Sequence, residues 1–213
     1  MRRALVSVLL ASACAPQSVE VTASFKFTGE QVAGAFAQAL PAQVLAQVGG
    51  SIPETWPANA PPALMTVQTV QRARLDFSRS GSSAPSKTSG LRLSELRMTA
   101  RSGADGPLLP EPAEMLVFAA PYTATTLSDP GVRRLARGAW PPSITPAADG
   151  GIMPFALLDM EPGGRGVFAD ILRGADKIAL FVVLRVPLDT RRDPRRPRAS
   201  AIIDLVFDVE IVP

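Results

Sequence analysis

Apolar and polar positions alternate with period two over Ser18–Phe27, where Val19, Val21, Ala23, Phe25 and Phe27 share one side. That spacing predicts a half-buried strand. Thr28 and Gln31 then have the spacing of a capping box, and Val32, Phe36 and Leu40 follow at helical intervals. Pro41 breaks or kinks the helix. Val44, Leu45 and Val48 continue its stripe as far as Gly49-Gly50, which ends it. A helix at about 29–48 is expected, with its stripe packed on a sheet. Its polar residues are mostly Gln rather than Lys or Arg, which disfavours a helix lying in a membrane surface.

The rest of the chain reads as β structure between Pro- and Gly-rich connections. Ile52–Pro62 is a Pro-rich linker. Thr66–Phe77 and Leu91–Ala100 are two strands joined by the Ser/Gly-rich segment Ser78–Gly90. Glu95 interrupts the alternation of Leu91 and Leu93, which Leu96 and Met98 resume, as a β-bulge would require. Met115–Phe118 is a continuous apolar run, expected to be covered on both faces. Ala139–Pro154 reads as a loop and Phe168–Gly174 as a short strand or turn.

Near the C-terminus Ile178, Leu180, Val182, Leu184 and Val186 alternate, and so do Ala201, Ile203, Leu205, Phe207 and Val209. Pairing Val186 with Ala201 would align both sets and place Lys177 opposite Glu210, so a hairpin is expected. Five or six short strands with long turns predict a mainly β chain: an antiparallel β-sandwich with one N-terminal α-helix, one domain over 19–213.

The first residues change the picture from fold to location. Met1-Arg2-Arg3 is a basic n-region, Ala4–Leu10 an apolar stretch, and Ala11-Ser12-Ala13 a small-residue box followed by Cys14, the only cysteine. The apolar stretch is too short to span a bilayer, which takes about 20 residues, so it reads as a removable export signal over 1–13. Arg2-Arg3 lacks the polar flanks of a twin-arginine signal, which favours general secretion.

Leu10-Ala11-Ser12-Ala13-Cys14 resembles the lipobox of bacterial lipoproteins. The resemblance implies diacylglycerol on the Cys14 thiol, cleavage between Ala13 and Cys14, and acylation, by palmitate or a similar chain, of the new amine. Cysteine is required because a thiolate is the nucleophile. Ala11 stands where the family prefers Leu, and Ala11-Ser12-Ala13 is also an A-x-A box for ordinary signal peptidase. The alternative is therefore a soluble secreted protein cut at the same site. With lipid attached, residues 14–18 form a short tether and the domain sits near the membrane. Ala15, where some enteric lipoproteins carry Asp, implies the outer membrane of a Gram-negative bacterium, facing the periplasm or the surface.

Thr66–Val212 is also similar, in order of elements, to uncharacterised β-sandwich envelope lipoproteins of GC-rich Gram-negative bacteria. The shared pattern is Leu91-Arg92-Leu93-Ser94-Glu95-Leu96, then Met115–Ala119, a segment like Leu135-Ala136-Arg137, and two closing strands. That resemblance implies a fold and carries no activity.

Composition narrows the function classes. Removing 13 of the 213 residues would leave 200, and losing Arg2 and Arg3 would lower the formal charge from +3 to +1. A general nucleic-acid role gains little from that balance. The chain has no histidine, which removes His-dependent triads, His-ligated zinc and His general bases. P-loop, G-x-G-x-x-G and G-x-S-x-G motifs are missing, and the residues imply no metal and no cofactor.

Asp204, Asp208 and Glu210 fall on one face of the last strand. They read as a solvated face of an edge or outer strand, the alternative being a carboxylate pair of a polysaccharide hydrolase. Arg191, Arg192, Arg195, Arg196 and Arg198 put five arginines within eight residues, with prolines between them. One reading is an anion-binding loop for phospholipid or lipopolysaccharide phosphates; the other is a soluble loop that guards an apolar hairpin. Trp56 and Trp140 each precede proline. They would cap an open end of the core or stack on a ligand.

The sequence thus points to a non-catalytic envelope module, with the membrane as partner through Cys14 and an anionic glycolipid or envelope protein as ligand. The alternatives are the hydrolase and a carrier holding lipid between its sheets.

Overall fold

A computed structural model of the chain describes residues 17–76, 90–102, 114–139, 156–157, 159–172, 177–197 and 200–212. Two antiparallel sheets face each other. The first contains β1 (Gln17–Thr28), β9 (Ser200–Val212), β3 (Gly90–Ser102) and β6 (Ala156–Leu157), in that spatial order. The second contains β2 (Leu64–Asp76), β8 (Lys177–Asp189), β4 (Glu114–Pro121), β5 (Arg133–Ala139) and β7 (Asp159–Met160). The architecture is the expected β-sandwich.

Period-two alternation decides what each strand buries. Ala23, Phe25 and Phe27 of β1 point into the core, and Thr22, Ser24 and Lys26 point out. Leu205, Phe207 and Val209 of β9 meet Val182, Leu184 and Val186 of β8 in the same core. β8 is buried on its other face too, where Ala179 and Phe181 pack with Ala120 and Ala124 under the connection between β4 and β5. β4 likewise buries Met115, Leu116 and Val117 in succession, as its unbroken apolar run predicts.

The two C-terminal strands are not a hairpin. β9 is bonded to β1 and β3, and β8 to β2 and β4. Lys177 lies opposite Asp76 rather than Glu210. Glu210 pairs with Ser18 and Arg92. Both strands have one apolar face turned to a common core, and alternation cannot distinguish two strands side by side from two strands face to face. The same holds for β2 and β3, which lie in different sheets although consecutive in the chain.

The bulge in β3 lies where Glu95 breaks the pattern. Leu93 pairs with Val209 and Glu95 with Asp208, leaving Ser94 unpaired. Leu93 and Leu96 are consequently both in the core despite their odd spacing. The hydroxyl of Ser94 donates to the Asp208 carbonyl at 2.8 Å.

The helix begins with the predicted capping box, Thr28 and Gln31 each bonding the other's backbone N–H. Pro41 splits it into α1 (Gly29–Ala39) and α2 (Ala42–Gln47). Gly49 and Gly50 take φ of 93° and 80°, closing α2 in the left-handed region. α1 packs on β1 and β2, covering the side of the sandwich where those two edge strands meet.

A further helix, α3 (Gly164–Leu172), replaces the short strand or turn expected near Phe168. Gly164 and Gly166 lower its local propensity, so tertiary packing holds it. Phe168 is fully buried and stacks on Phe207, with ring centroids 6.0 Å apart. α3 lies against β3 and β5, on the side of the sandwich away from α1.

Candidate functional site

The connection from β8 to β9 crosses from one sheet to the other. It leaves β8 in a turn, where Arg192 and Asp193 N–H groups donate to the Asp189 carbonyl and the Arg191 N–H donates to the Asp189 carboxylate at 2.9 Å. It then runs beside the Ile52–Pro62 segment. Trp56 N–H donates to the Pro194 carbonyl at 2.7 Å, Arg196 N–H to the Glu54 carbonyl at 3.0 Å, and Thr55 bridges Arg195. The Pro-rich linker is thereby a packed wall, with Ile52 and Trp56 buried.

Between this connection, the linker and α1 lies a cleft of about 460 Å³. Its apolar side is made by Phe36, Ile52, Trp56 and Leu188, which also belong to the core. Trp56 packs on Phe36 at 5.6 Å and donates its indole N–H to the Pro61 carbonyl, so it caps this end of the core. Leu64 stands on the rim at 79% exposure, an unusual setting for leucine on a strand end. Arg192, Arg195 and Arg196 also line it, together with Asp189 and Asp193.

The arginines differ in what they do. Arg195 forms a fork with Asp193, at 2.9 Å from both Nε and Nη2. This bonding, aided by the Arg195 N–H, holds the Asp193 carboxyl below its ordinary range and raises the Arg195 guanidinium. Arg196 is more enclosed. Its Nη2 donates to Glu30 at 2.6 Å and its Nη1 to the Ile52 carbonyl at 3.3 Å, tying α1 and the linker to the connection. Its Nε is buried without an acceptor among the described residues. Arg191 and Arg192 are exposed. Arg198, Ala13, Cys14 and Trp140 lie outside the described residues. The arginine segment is therefore an inter-sheet crossover, not a hairpin tip.

The carboxylates of β9 lie on the outer face of the first sheet, with β9 in the interior of that sheet rather than at its edge. Asp208 takes two bonds from Arg97, at 3.0 and 3.1 Å. Arg97 also contacts Glu20 and Glu95. Its guanidinium is raised by its bonds to Asp208 first and Glu20 second. Asp204 accepts from the Ser24 hydroxyl. These acids meet a cation or hydroxyl on an open sheet face, not a concave site. Among the described residues no group of three or more His, Cys, Asp or Glu could hold a metal ion.

Sequence reasoning identified the arginines and Trp56 but not the cleft. Phe36 read as part of the helix stripe, Leu188 lay past the alternation that ends at Val186, and Leu64 lay before the predicted strand. No signal brought the linker and the crossover together, because their contact is between residues about 140 positions apart, as from Ile52 to Arg196.

No family model matches the chain, and no curated protein matches it. Among solved structures it is similar to the decameric BFDV capsid protein, with 9% identity, a TM-score of 0.41, and coverage of 93% of this chain and 100% of that one. The 60-mer BFDV capsid protein gives 10% identity and 0.36, covering 93% and 96%. Turnip Yellow Mosaic Virus gives 11% and 0.23, covering 92% and 94%. Scores and identities this low carry no inference about ancestry or activity, and the fold rests on the strand pairings. Among the described residues no helix is long and apolar enough to cross a membrane.

Proposed function

We propose that this protein is a non-catalytic lipoprotein of the cell envelope, cut before Cys14 and held by lipid on that residue, whose sandwich is a binding module. One relationship carries the reading. β1 starts at Gln17, three residues after Cys14, and ends at Thr28, beside the cleft; its 12 residues span about 36 Å. The start of β1 and the arginine crossover are thus at opposite ends of that strand. The tether between Cys14 and Gln17 reaches only about 10 Å. An upright domain therefore presents its arginines away from its own bilayer, toward an anionic glycolipid or envelope protein.

Two further observations support a module over its alternatives. Phe27, Phe168 and Phe207 are fully buried between the sheets, where a lipid carrier would need space. The β9 carboxylates are engaged by Arg97 and Ser24 on an open face, which is poor ground for a hydrolase.

Labelling cells with radioactive palmitate tests the anchor. Wild type takes up label and Cys14→Ser does not; unlabelled wild type would mean a soluble secreted protein. Sedimentation with lipopolysaccharide or phosphatidylglycerol vesicles tests the arginines. Changing Arg191, Arg192, Arg195 and Arg198 to Ser, with Arg196 kept for its structural bonds, abolishes binding. Undiminished binding overturns the anionic ligand.

A further inference from the structure

We infer that the cleft is a site for a small uncharged apolar molecule, an alkyl chain or ring system seated on Phe36, Ile52, Trp56 and Leu188. It is additional to the anionic partner proposed above, which concerns the outward side of the crossover, where Arg191 is exposed and does not line the cleft. Three features converge. The volume of about 460 Å³ falls within the range of roughly 300–1,000 Å³ typical of small-molecule sites. The four apolar side chains belong to the main core, so the cleft continues it. Leu64 stands exposed on the rim, an apolar side chain that a molecule in the cleft would cover.

The charged part of the lining selects against ions. Arg195 is matched by Asp193 at 2.9 Å, and Arg196 by Glu30 at 2.6 Å and Glu54 at 4.0 Å. Arg192 is engaged as well, and Asp189 accepts the Arg191 N–H at 2.9 Å. A ligand charge entering the cleft gives up hydration and finds these counter-charges already paired. An uncharged molecule gives up little and covers apolar surface. Backbone bonds fix the walls before it arrives: Trp56 N–H to the Pro194 carbonyl, Arg196 N–H to the Glu54 carbonyl, and Thr190 N–H to the Ala63 carbonyl at 3.0 Å. Little order remains to be imposed on binding.

The chain has two tryptophans, so the full chain carrying Cys14→Ser and Trp140→Phe reports from Trp56 alone and has no lipid of its own. Titration with 1-octanol gives a saturable change in Trp56 emission. Octanoate and octylammonium each bind at least about tenfold more weakly. Added sodium chloride does not weaken octanol binding, since the molecule makes no ion pair. Leu64→Ser weakens it about three- to tenfold, and Leu64→Met restores most of the affinity. Val70→Ser removes another exposed apolar side chain of β2, one outside the cleft, and leaves the affinity unchanged.

No saturable change with 1-octanol overturns the inference. So does a Leu64→Ser variant that binds as wild type, or an equal loss from Val70→Ser, which would mean general adherence to apolar surface. Octanoate or octylammonium binding as tightly as 1-octanol, or octanol affinity that falls with salt, overturns the uncharged ligand and returns the charged lining to the site.

Discussion

Arg196 reaches the carboxylate of Glu30 at 2.6 Å, joining the first turn of α1 to the crossover 166 residues later. With its second bond to the Ile52 carbonyl it makes one wall of the cleft a fixed object. Arg196→Ser should lower stability by about 1–2 kcal/mol, more than an exposed ion pair gives, because a backbone carbonyl loses its donor as well. Arg191→Ser, at an exposed position, should stay within about 0.5 kcal/mol. Urea unfolding of both variants checks this, and equal effects would show that Arg196 is one more solvated charge.

Asp129 should make stability sensitive to acid. Its carboxylate accepts from the Thr125 and Thr126 N–H groups and from both hydroxyls, closing the loop that covers Phe181. These bonds, the Thr125 N–H first, lower its pKa from 3.8 to about 2. A folded-state pKa below the unfolded one means stability that is present above pH 3.8 and is lost as pH falls through about 2. Asp129→Asn should be less stable than wild type at neutral pH and should lose part of the pH dependence in that window. Thermal midpoints measured across it would show parallel curves if the carboxylate were not bonded in this way.

Two glycines of α3 should respond oppositely to alanine. A Cβ on Gly164 would lie 2.6 Å from the Leu135 carbonyl oxygen, a backbone atom that cannot yield without moving β5. Gly164→Ala should cost about 1–3 kcal/mol. Nothing lies within 4 Å of a Cβ on Gly166, so Gly166→Ala should stabilise by about 0.5–1 kcal/mol through helix propensity. Denaturation midpoints moving in the same direction would place α3 elsewhere than on β5.

The sheet assignment of β8 is open to a double-mutant cycle. Lys177 and Asp76 are 3.0 Å apart across the β2–β8 pair, both partly exposed. Neutralising each alone and together should reveal a coupling of about 0.3–0.5 kcal/mol, whereas the same cycle for Lys177 and Glu210 should give none. Coupling to Glu210 instead would restore the hairpin.

The local elements were legible in the sequence because their causes are local. Thr28 and Gln31 are three residues apart and cap their own helix. Pro41 interrupts it by its ring alone, and Gly49-Gly50 close it with positive φ. The bulge was visible as one misplaced polar residue, Glu95. α3 escaped because its glycines give a weak signal and its stability comes from Phe168 on Phe207, a contact no window of sequence contains.

By itself the sequence determined which face of each strand would be apolar, where the first helix starts and stops, and that a lone cysteine follows a short basic and apolar N-terminal run. The tertiary structure alone decided the partners. Ile178 to Val186 and Ala201 to Val209 carry the same alternation whether they lie side by side or across a core, since burial is satisfied equally by either. Only the hydrogen bonding of β8 to β2 and β4, and of β9 to β1 and β3, selects the second. That choice turns the arginine segment from a hairpin tip into the crossover that walls a cleft, because a chain leaving one sheet for the other must pass over the end of the core.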